Sequence, residues 1–507
     1  MKKILIFSLI LFSLSSTIIA QSKREMRAAW IATVVNIDWP SKKGISTDSM
    51  KMELVDLIDK FKENNLNTVI FQARPCADAF YKSQIEPWSE YLMGKQGVAP
   101  DDDTFDPLHF IIEECHKRCM ELHVWINPYR VLMTDNVSQL DSTHLYFKQP
   151  DLFVSYGKKI YFNPAKEETK THLLNVVSDI VSRYDIDALH MDDYFYPYPI
   201  AGEKFPDEKD FKKNPRGFSN IGDWRRDNVN TTIRDIYRTI KRIKPWVDFG
   251  ISPFGTWRHK SDDKEGSNTQ KGLTNYDHLY ADVLTWLKNG EVDYIAPQLY
   301  WYIGQKNVDY AILAPWWAKN AHKTNLYIGL YASSLGLENR PKQWYKPNEL
   351  IRQINLNRKH EEIKGEMFYS AKYFIQNLYG LNDSLQQKNY YYPAIPPMSQ
   401  RVEWRNDTPI SEPTIQNIDK KTFLQWKNQI KKNNPNPKGE DISYYIIYVF
   451  EGDEIGDLNN AKHILSITQE NQIDITPFII DKKQNYTFAI TTINKFRAES
   501  IPVIISK

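Results

Sequence analysis

From Met26 to Ser370 the chain alternates between short apolar runs and longer stretches of helical periodicity. The apolar runs are Met26–Thr33, Asn67–Arg74, Glu121–Asn127, Ile186–Asp192, Val247–Pro253, Val292–Leu299, Leu326–Tyr331 and Glu366–Ser370. Several are apolar almost throughout, as strands covered on both faces of a parallel sheet should be. Between them, Leu54, Leu57, Ile58 and Phe61 recur at helical spacing and predict a helix over Met50–Lys62. Leu108–Arg118, Thr171–Arg183, Asn228–Ile243, Tyr276–Lys288 and Asn348–Ile363 read the same way. A helix over Ala311–Asn320 should be interrupted by Pro315. Eight strands with intervening helices predict an α/β fold, a (β/α)8 TIM barrel over residues 21–395.

A barrel of this kind does its chemistry at the C-terminal ends of its strands. The fourth strand ends in His190-Met191-Asp192-Asp193-Tyr194-Phe195-Tyr196-Pro197, two adjacent carboxylates followed by rings. Buried charge is costly unless paired or hydrogen-bonded, so such a pair usually has a task. Carboxylates among aromatic faces suit a sugar-cleaving site; the plain alternative is a polar strand end that caps a neighbouring helix. Adjacent strand residues point to opposite faces, so both acids reach one cleft only if the chain turns at the strand end. The long segments Pro197–Trp224 and Arg258–Leu273 read as loops that could wall such a cleft.

The aromatic load is heavy, with 14 Trp and 30 Tyr, which favours flat amphipathic ligands as well as cores. A formal charge of +2 with no long basic block argues against a nucleic-acid partner. Residues 1–20 place Lys2 and Lys3 before an apolar run and end at Ala20, the layout of a signal peptide. Export to the periplasm or beyond is therefore expected. Only Cys76, Cys115 and Cys119 are present, and neither they nor His116 and His123 have metal-site spacing. No metal or cofactor is expected. After Pro396-Pro397 and a polar stretch, Phe423–Trp426, Ser443–Phe450, His463–Thr468, Gln472–Thr476 and Tyr486–Thr492 predict a small all-β sandwich over 410–507. Asp457–Lys462 carries the one helix signal there.

Glu25-Met26-Arg27-Ala28-Ala29-Trp30 through Trp39-Pro40 resembles the opening of the glycosyl-hydrolase-like family 10 proteins, bacterial exported or lipid-anchored barrels. The resemblance continues through Phe71-Gln72-Ala73-Arg74-Pro75, Trp125-Ile126-Asn127-Pro128-Tyr129-Arg130, His190 to Pro197, Ile251-Ser252-Pro253-Phe254-Gly255 and Ala296-Pro297-Gln298-Leu299-Tyr300-Trp301. It implies a barrel with glycosidase likeness and a link to bacterial cell-wall glycan. The expected activity is that of a glycoside hydrolase on a bacterial or dietary polysaccharide, N-acetylated cell-wall glycan among them. The last segment is similar to a fibronectin type III module, with Trp426, Tyr445 and Tyr486 as core aromatics and a possible role in cell-envelope association.

Glycoside cleavage needs an acid for the leaving oxygen and a group that stabilises the oxocarbenium-like charge. Asp193 is expected to be the general acid and Asp192 the orienting carboxylate for an acetamido group, whose carbonyl would act as nucleophile. A like-charged neighbour should raise one of the two pKa values. For a conventional pair, Asp78 and Glu86 are the nearest second acids, or else members of a loop salt bridge. Arg74 could hold a substrate carboxylate, fix an Asp in its ionised state, or only buttress its strand end. Trp30, Asn127, Tyr129, Arg130, Tyr194, Gln298, Tyr300, Trp301 and Tyr331 complete the expected oligo- or polysaccharide-binding set. A carbohydrate binder without turnover would use the same rings, and a metal-dependent deacetylase would want a His cluster that these strand ends lack.

Overall fold

A computed structural model describes residues 21–506, apart from 432, 433, 435 and 480–483. The expected leader, residues 1–20, lies outside the described residues. Eight parallel strands close into a barrel: β1 (Met26–Ile31), β2 (Thr68–Arg74), β3 (Glu121–Ile126), β4 (Ala188–Met191), β5 (Asp248–Ile251), β6 (Tyr294–Ile295), β7 (Asn325–Leu330) and β8 (Ile363–Phe368). Each pairs with its sequence neighbours, and β1 pairs with β8 to close the ring. Gln298, beyond the short β6, still bridges Phe254 and Gly329, so the wall continues past its regular hydrogen bonding.

Alternate residues of each strand fill the lumen, and these form a separate packed cluster that includes Met26, Ala28, Trp30, Ile70, Trp125, Ala188, Tyr294, Tyr327 and Met367. The other faces pack under the helices. The first helix, Thr47–Glu63, buries Met50, Leu54, Leu57, Ile58 and Phe61 along one stripe, and Ser46 caps it by accepting from Ser49 N at 3.3 Å. Two helix expectations need correction. Tyr310–Lys319 runs through Pro315 as one helix, because buried Leu313, Ala314 and Trp317 hold it across the lost N–H. The expected Tyr276–Lys288 helix is instead two pieces, Asn275–His278 and Val283–Asn289, parted by Tyr280 at φ 53°.

The sequence showed no sign of a three-stranded antiparallel sheet after β3, built from Arg130–Leu132, Phe153–Tyr156 and Lys159–Phe162. The long segment after β4 packs against this sheet: Ile200 N donates to Tyr156 Oη at 2.8 Å. That segment also contains a short helix, Glu208–Lys213.

The C-terminal region forms two antiparallel sheets, one of Thr414–Ile418, Lys421–Gln425 and Gln472–Asp474, the other of Ile464–Thr468, Ile442–Glu451, Tyr486–Asn494 and Val503–Ser506. Leu424, Trp426, Tyr445, Ile447, Tyr486, Phe488 and Ile490 pack between them. The helix signal at Asp457–Lys462 becomes a single 3-10 turn, Ala461–His463. This sandwich is keyed into the barrel floor by the turn 494–498: Lys495 pairs with Asp185 at 2.7 Å, and Arg497 pairs with Glu121 and with Asp248. Phe496 stacks on Trp404, with centroids 3.7 Å apart. Residues before β1 belong to the same junction, since Lys23 binds Glu499 at 2.7 Å.

Candidate active site

β4 stops hydrogen bonding at Met191, and the chain bends at Asp193. Asp192 therefore keeps the inward direction of His190, while the bend brings Asp193 to the same end of the barrel. Asp192 is held on both oxygens. Trp125 Nε1 donates to Oδ2 at 3.1 Å, Asn127 Nδ2 lies 3.1 Å from each oxygen, and Tyr194 N reaches Oδ1 at 3.4 Å. Burial raises its pKa from the ordinary value, and Arg130, Asn127 and Trp125 offset part of that rise.

Asp193 is held differently. Its Oδ2 accepts from the hydroxyl of Tyr198, and Gln298 lies beside it. Burial and then the neighbouring Asp192 push its pKa up to about 7, against the lowering effect of Tyr198 and Gln298. One carboxylate is thus oriented by donors, and its neighbour is poised to carry a proton near neutrality. Both are only 2–3% exposed, so the pair is almost wholly covered by the residues around it.

Half-buried rings from successive strand ends surround the pair. Tyr300 and Tyr331 stack at 4.5 Å and 14°, Tyr369 lies 6.1 Å from Tyr300, and Tyr194 meets Tyr198 edge to face. Phe254 packs edge-on against both Trp301 and Tyr198. Trp30 lies deeper, 3% exposed, with its indole 6.4 Å from Tyr369.

Other expected site residues have different tasks. Arg74 is fully buried and pairs with Glu86 through Nε at 2.7 Å and Nη2 at 2.5 Å. His172 adds a contact to Glu86 at 2.8 Å. Burial opposes this carboxylate's charge, but Arg74 and His172 win and hold its pKa down to about 2. Glu86 is therefore a fixed anion, unsuited to donating a proton, and Arg74 buttresses its strand end. Asp78 is likewise buried, its Oδ1 accepting from Cys76 N at 3.0 Å. Tyr129 is 1% exposed and turns its hydroxyl to Thr232 at 3.3 Å, behind the wall. Asn127 spends its amide on Asp192 and its Oδ1 on the N–H groups of Tyr129 and Arg130, so it orients an acid and has little left for a sugar hydroxyl. Gln298 donates to Ser252 O at 2.9 Å. Arg130 covers the Tyr194 ring at 5.2 Å and donates from Nε to Pro75 O at 3.1 Å.

Three site residues escaped sequence reasoning. Tyr198 stands one residue beyond the aromatic run after the acids, and nothing local marks it as a partner of Asp193. Phe254 stands in the 251–255 motif at the end of β5, where nothing local marks its ring as a cleft residue. Asp38 ties the β1 loop to the end of β8 by accepting from Ala32 N, Ser370 Oγ and Lys372 N. Among the described residues, no group of three or more His, Cys, Asp or Glu is placed to hold a metal ion.

A closed parallel barrel carrying paired acids and an aromatic cleft at its strand ends is the architecture of a barrel glycoside hydrolase, and this chain is one. It belongs to the family described as Glycosyl hydrolase-like 10, whose sequence profile matches residues 25–346. The chain is 43% identical over 490 residues to the Glycosyl hydrolase YngK of Bacillus subtilis (strain 168), covering 95% of this chain and 93% of that protein. It is 35% identical over 375 residues to the Glycosyl hydrolase DigH of Escherichia coli (strain K12), covering 70% and 84%. Among solved structures, the PgaB (BpsB) glycoside hydrolase domain from Bordetella bronchiseptica aligns with a TM-score of 0.43 at 11% identity, over 72% of this chain and 98% of that one.

Proposed function

We propose that this glycosidase is exported and cleaves an N-acetylated glycan of the bacterial cell wall, with Asp193 as general acid and Asp192 orienting the acetamido group. The observation that carries the proposal is the contrast within the pair: Asp192 accepts from Trp125, Asn127 and Tyr194, while Asp193, pushed up to about 7, meets Tyr198, Gln298 and its own N–H. Of the two other carboxylates weighed as partners, Glu86 is locked to Arg74, and Asp78, itself pushed up to about 7 by burial, is walled in with its Oδ1 on Cys76 N. The acetamido carbonyl then attacks the anomeric carbon as the glycosidic C–O bond breaks, and the Asp193 proton passes to the departing oxygen. Water later opens the cyclic intermediate, with Asp193 taking back its proton. The tyrosine-lined cleft supplies faces for the sugar rings. The leader-like start supports export, and the sandwich is proposed to help hold the enzyme at the envelope.

The test is release of new reducing ends from purified peptidoglycan and from chitohexaose. Turnover of at least one supports the proposal; binding of both without new ends makes the cleft a glycan-binding site only.

The pH dependence follows from Asp193. The acid must be protonated, so kcat/KM should fall as pH rises through about 7. In Tyr198→Phe the carboxylate loses a donor that stabilises its charge. Its pKa should rise, and the alkaline limb should move to higher pH along with a lower maximum. A pH profile of kcat/KM for both proteins checks this, and an unmoved limb removes Tyr198 from the role.

A further inference from the structure

A continuous polar column runs through the barrel lumen beside its apolar residues, and the proposed reaction uses none of its protons. At the top, Trp30 Nε1 lies 3.2 Å from His190 Nε2. His190 Nδ1 lies 2.9 Å from Tyr294 Oη, which lies 3.0 Å from His123 Nδ1. His123 Nε2 then meets Glu121 Oε2 at 3.1 Å. At the bottom, Arg497 of the sandwich turn binds Glu121 through Nε and Nη2 and reaches Asp248 Oδ2 at 2.6 Å. The column exists because residues 121, 123, 188, 190, 248 and 294 share the inward faces of β3 to β6. Gly250 makes room for it: a Cβ there would lie 1.9 Å from the Tyr294 ring.

The chemistry of the end groups sets the direction of every hydrogen bond. An indole N–H only donates, so His190 Nε2 accepts and its proton lies on Nδ1. That proton goes to Tyr294 Oη, whose own proton goes to His123 Nδ1. His123 Nε2–H then ends on the Glu121 carboxylate, which Arg497 holds. Burial keeps the His190 pKa well below its ordinary value, in line with a neutral ring. Ser252 Oγ lies 3.0 Å from the same His190 nitrogen, and the Ser252 carbonyl anchors Gln298 beside Asp193.

We propose that His190, Tyr294 and His123 are positioning residues through which Arg497, outside the barrel, fixes the tautomer of His190 and so the Trp30 indole on the cleft floor. The opposite tautomer would set two N–H groups against each other at Trp30 and release the ring. Only the cleft's use as a glycan site is taken from the proposed function; which carboxylate is the acid does not matter here.

Tyr294→Phe tests this in the full-length protein. Phe keeps the ring that stacks on His190 at 5.8 Å and removes only the hydroxyl. Tyr327→Phe is the matched control, a lumen hydroxyl beside the column's foot that bonds to Asn325 and not to a column member, with its ring 5.3 Å from Tyr294. The Trp30 indole N–H resonance, assigned by its loss in Trp30→Phe, should move in Tyr294→Phe and stay in Tyr327→Phe. On purified peptidoglycan, kcat of Tyr294→Phe should fall about tenfold with KM within about twofold, as expected for a misplaced contact surface. His123→Gln, which cuts the column one link lower, is read the same way should the first variant not fold. An unmoved Trp30 resonance, a kcat within about twofold of the parent, or an equal loss in Tyr327→Phe overturns the proposal. The resonance needs no substrate, so it decides the matter even if the glycan assignment fails.

Discussion

Arg497→Met is expected to destabilise the folded chain by about 3–5 kcal/mol, the cost of stranding buried carboxylates without their counter-charge. The side chain enters the barrel floor from the sandwich turn and touches both Glu121 and Asp248, and all three residues are 5–7% exposed. Burial works against the guanidinium charge, yet Asp248 and Glu121 raise its pKa well above the ordinary value. Met retains the length and apolar stem but takes the guanidinium from both carboxylates, leaving Asp248 with Lys241 at 3.8 Å and Glu121 with His123. Urea unfolding followed by circular dichroism measures the loss, and an unchanged midpoint would mean the floor is wetter than its burial implies. The triple variant Arg497→Met, Glu121→Gln, Asp248→Asn should recover most of the stability, since a buried ion set replaced whole by neutral groups costs little. Gln at 121 still offers an oxygen to His123.

The largest effect on activity is expected from Asp193→Asn. The amide cannot supply a proton, so kcat on peptidoglycan should fall about 10²–10⁴-fold. At about 1.4 kcal/mol per decade, that is roughly 3–5 kcal/mol of barrier. The loss should shrink on the 4-nitrophenyl glycoside of N-acetylglucosamine, whose leaving group departs without protonation. Asp192→Asn should lose comparable activity on both substrates, because the role proposed for it, orienting the nucleophile, is the same whatever the leaving group. Equal losses on the two substrates for Asp193→Asn would strip that residue of the acid role.

Much of the barrel was legible in the chain. Strands covered on both faces must be apolar nearly throughout, and the helices above them must carry one apolar stripe. Those demands act residue by residue, so the runs ending at Arg74, Ile126 and Met191 stand out before any folding. The acid pair stands out for the same reason, since charge at the end of an apolar run has to be solvated or employed. Less legible were β6, only Tyr294–Ile295, and the sheet after β3, whose short strands carry too few residues to show a period. Pro315 misled because packing against Leu313 and Trp317 outweighed a local penalty.

Partnership was beyond reach. Arg74 and Glu86 stand twelve residues apart and could have been site groups until folding closed them on each other. Tyr198 acquires meaning only when the loop after β4 folds back on Asp193, and Arg497 only when its turn meets strands that begin hundreds of residues earlier.

By itself, the order of residues determined which segments become strands and helices, which faces are buried, and where charge emerges from them. Those outcomes depend on the free energy of removing one side chain at a time from water. The tertiary structure alone decided which carboxylates burial pushes toward neutrality, which is spent on an arginine, and which groups face each histidine nitrogen. Each of those depends on dielectric and on a partner a few ångströms away, and neither exists until distant parts of the chain have met.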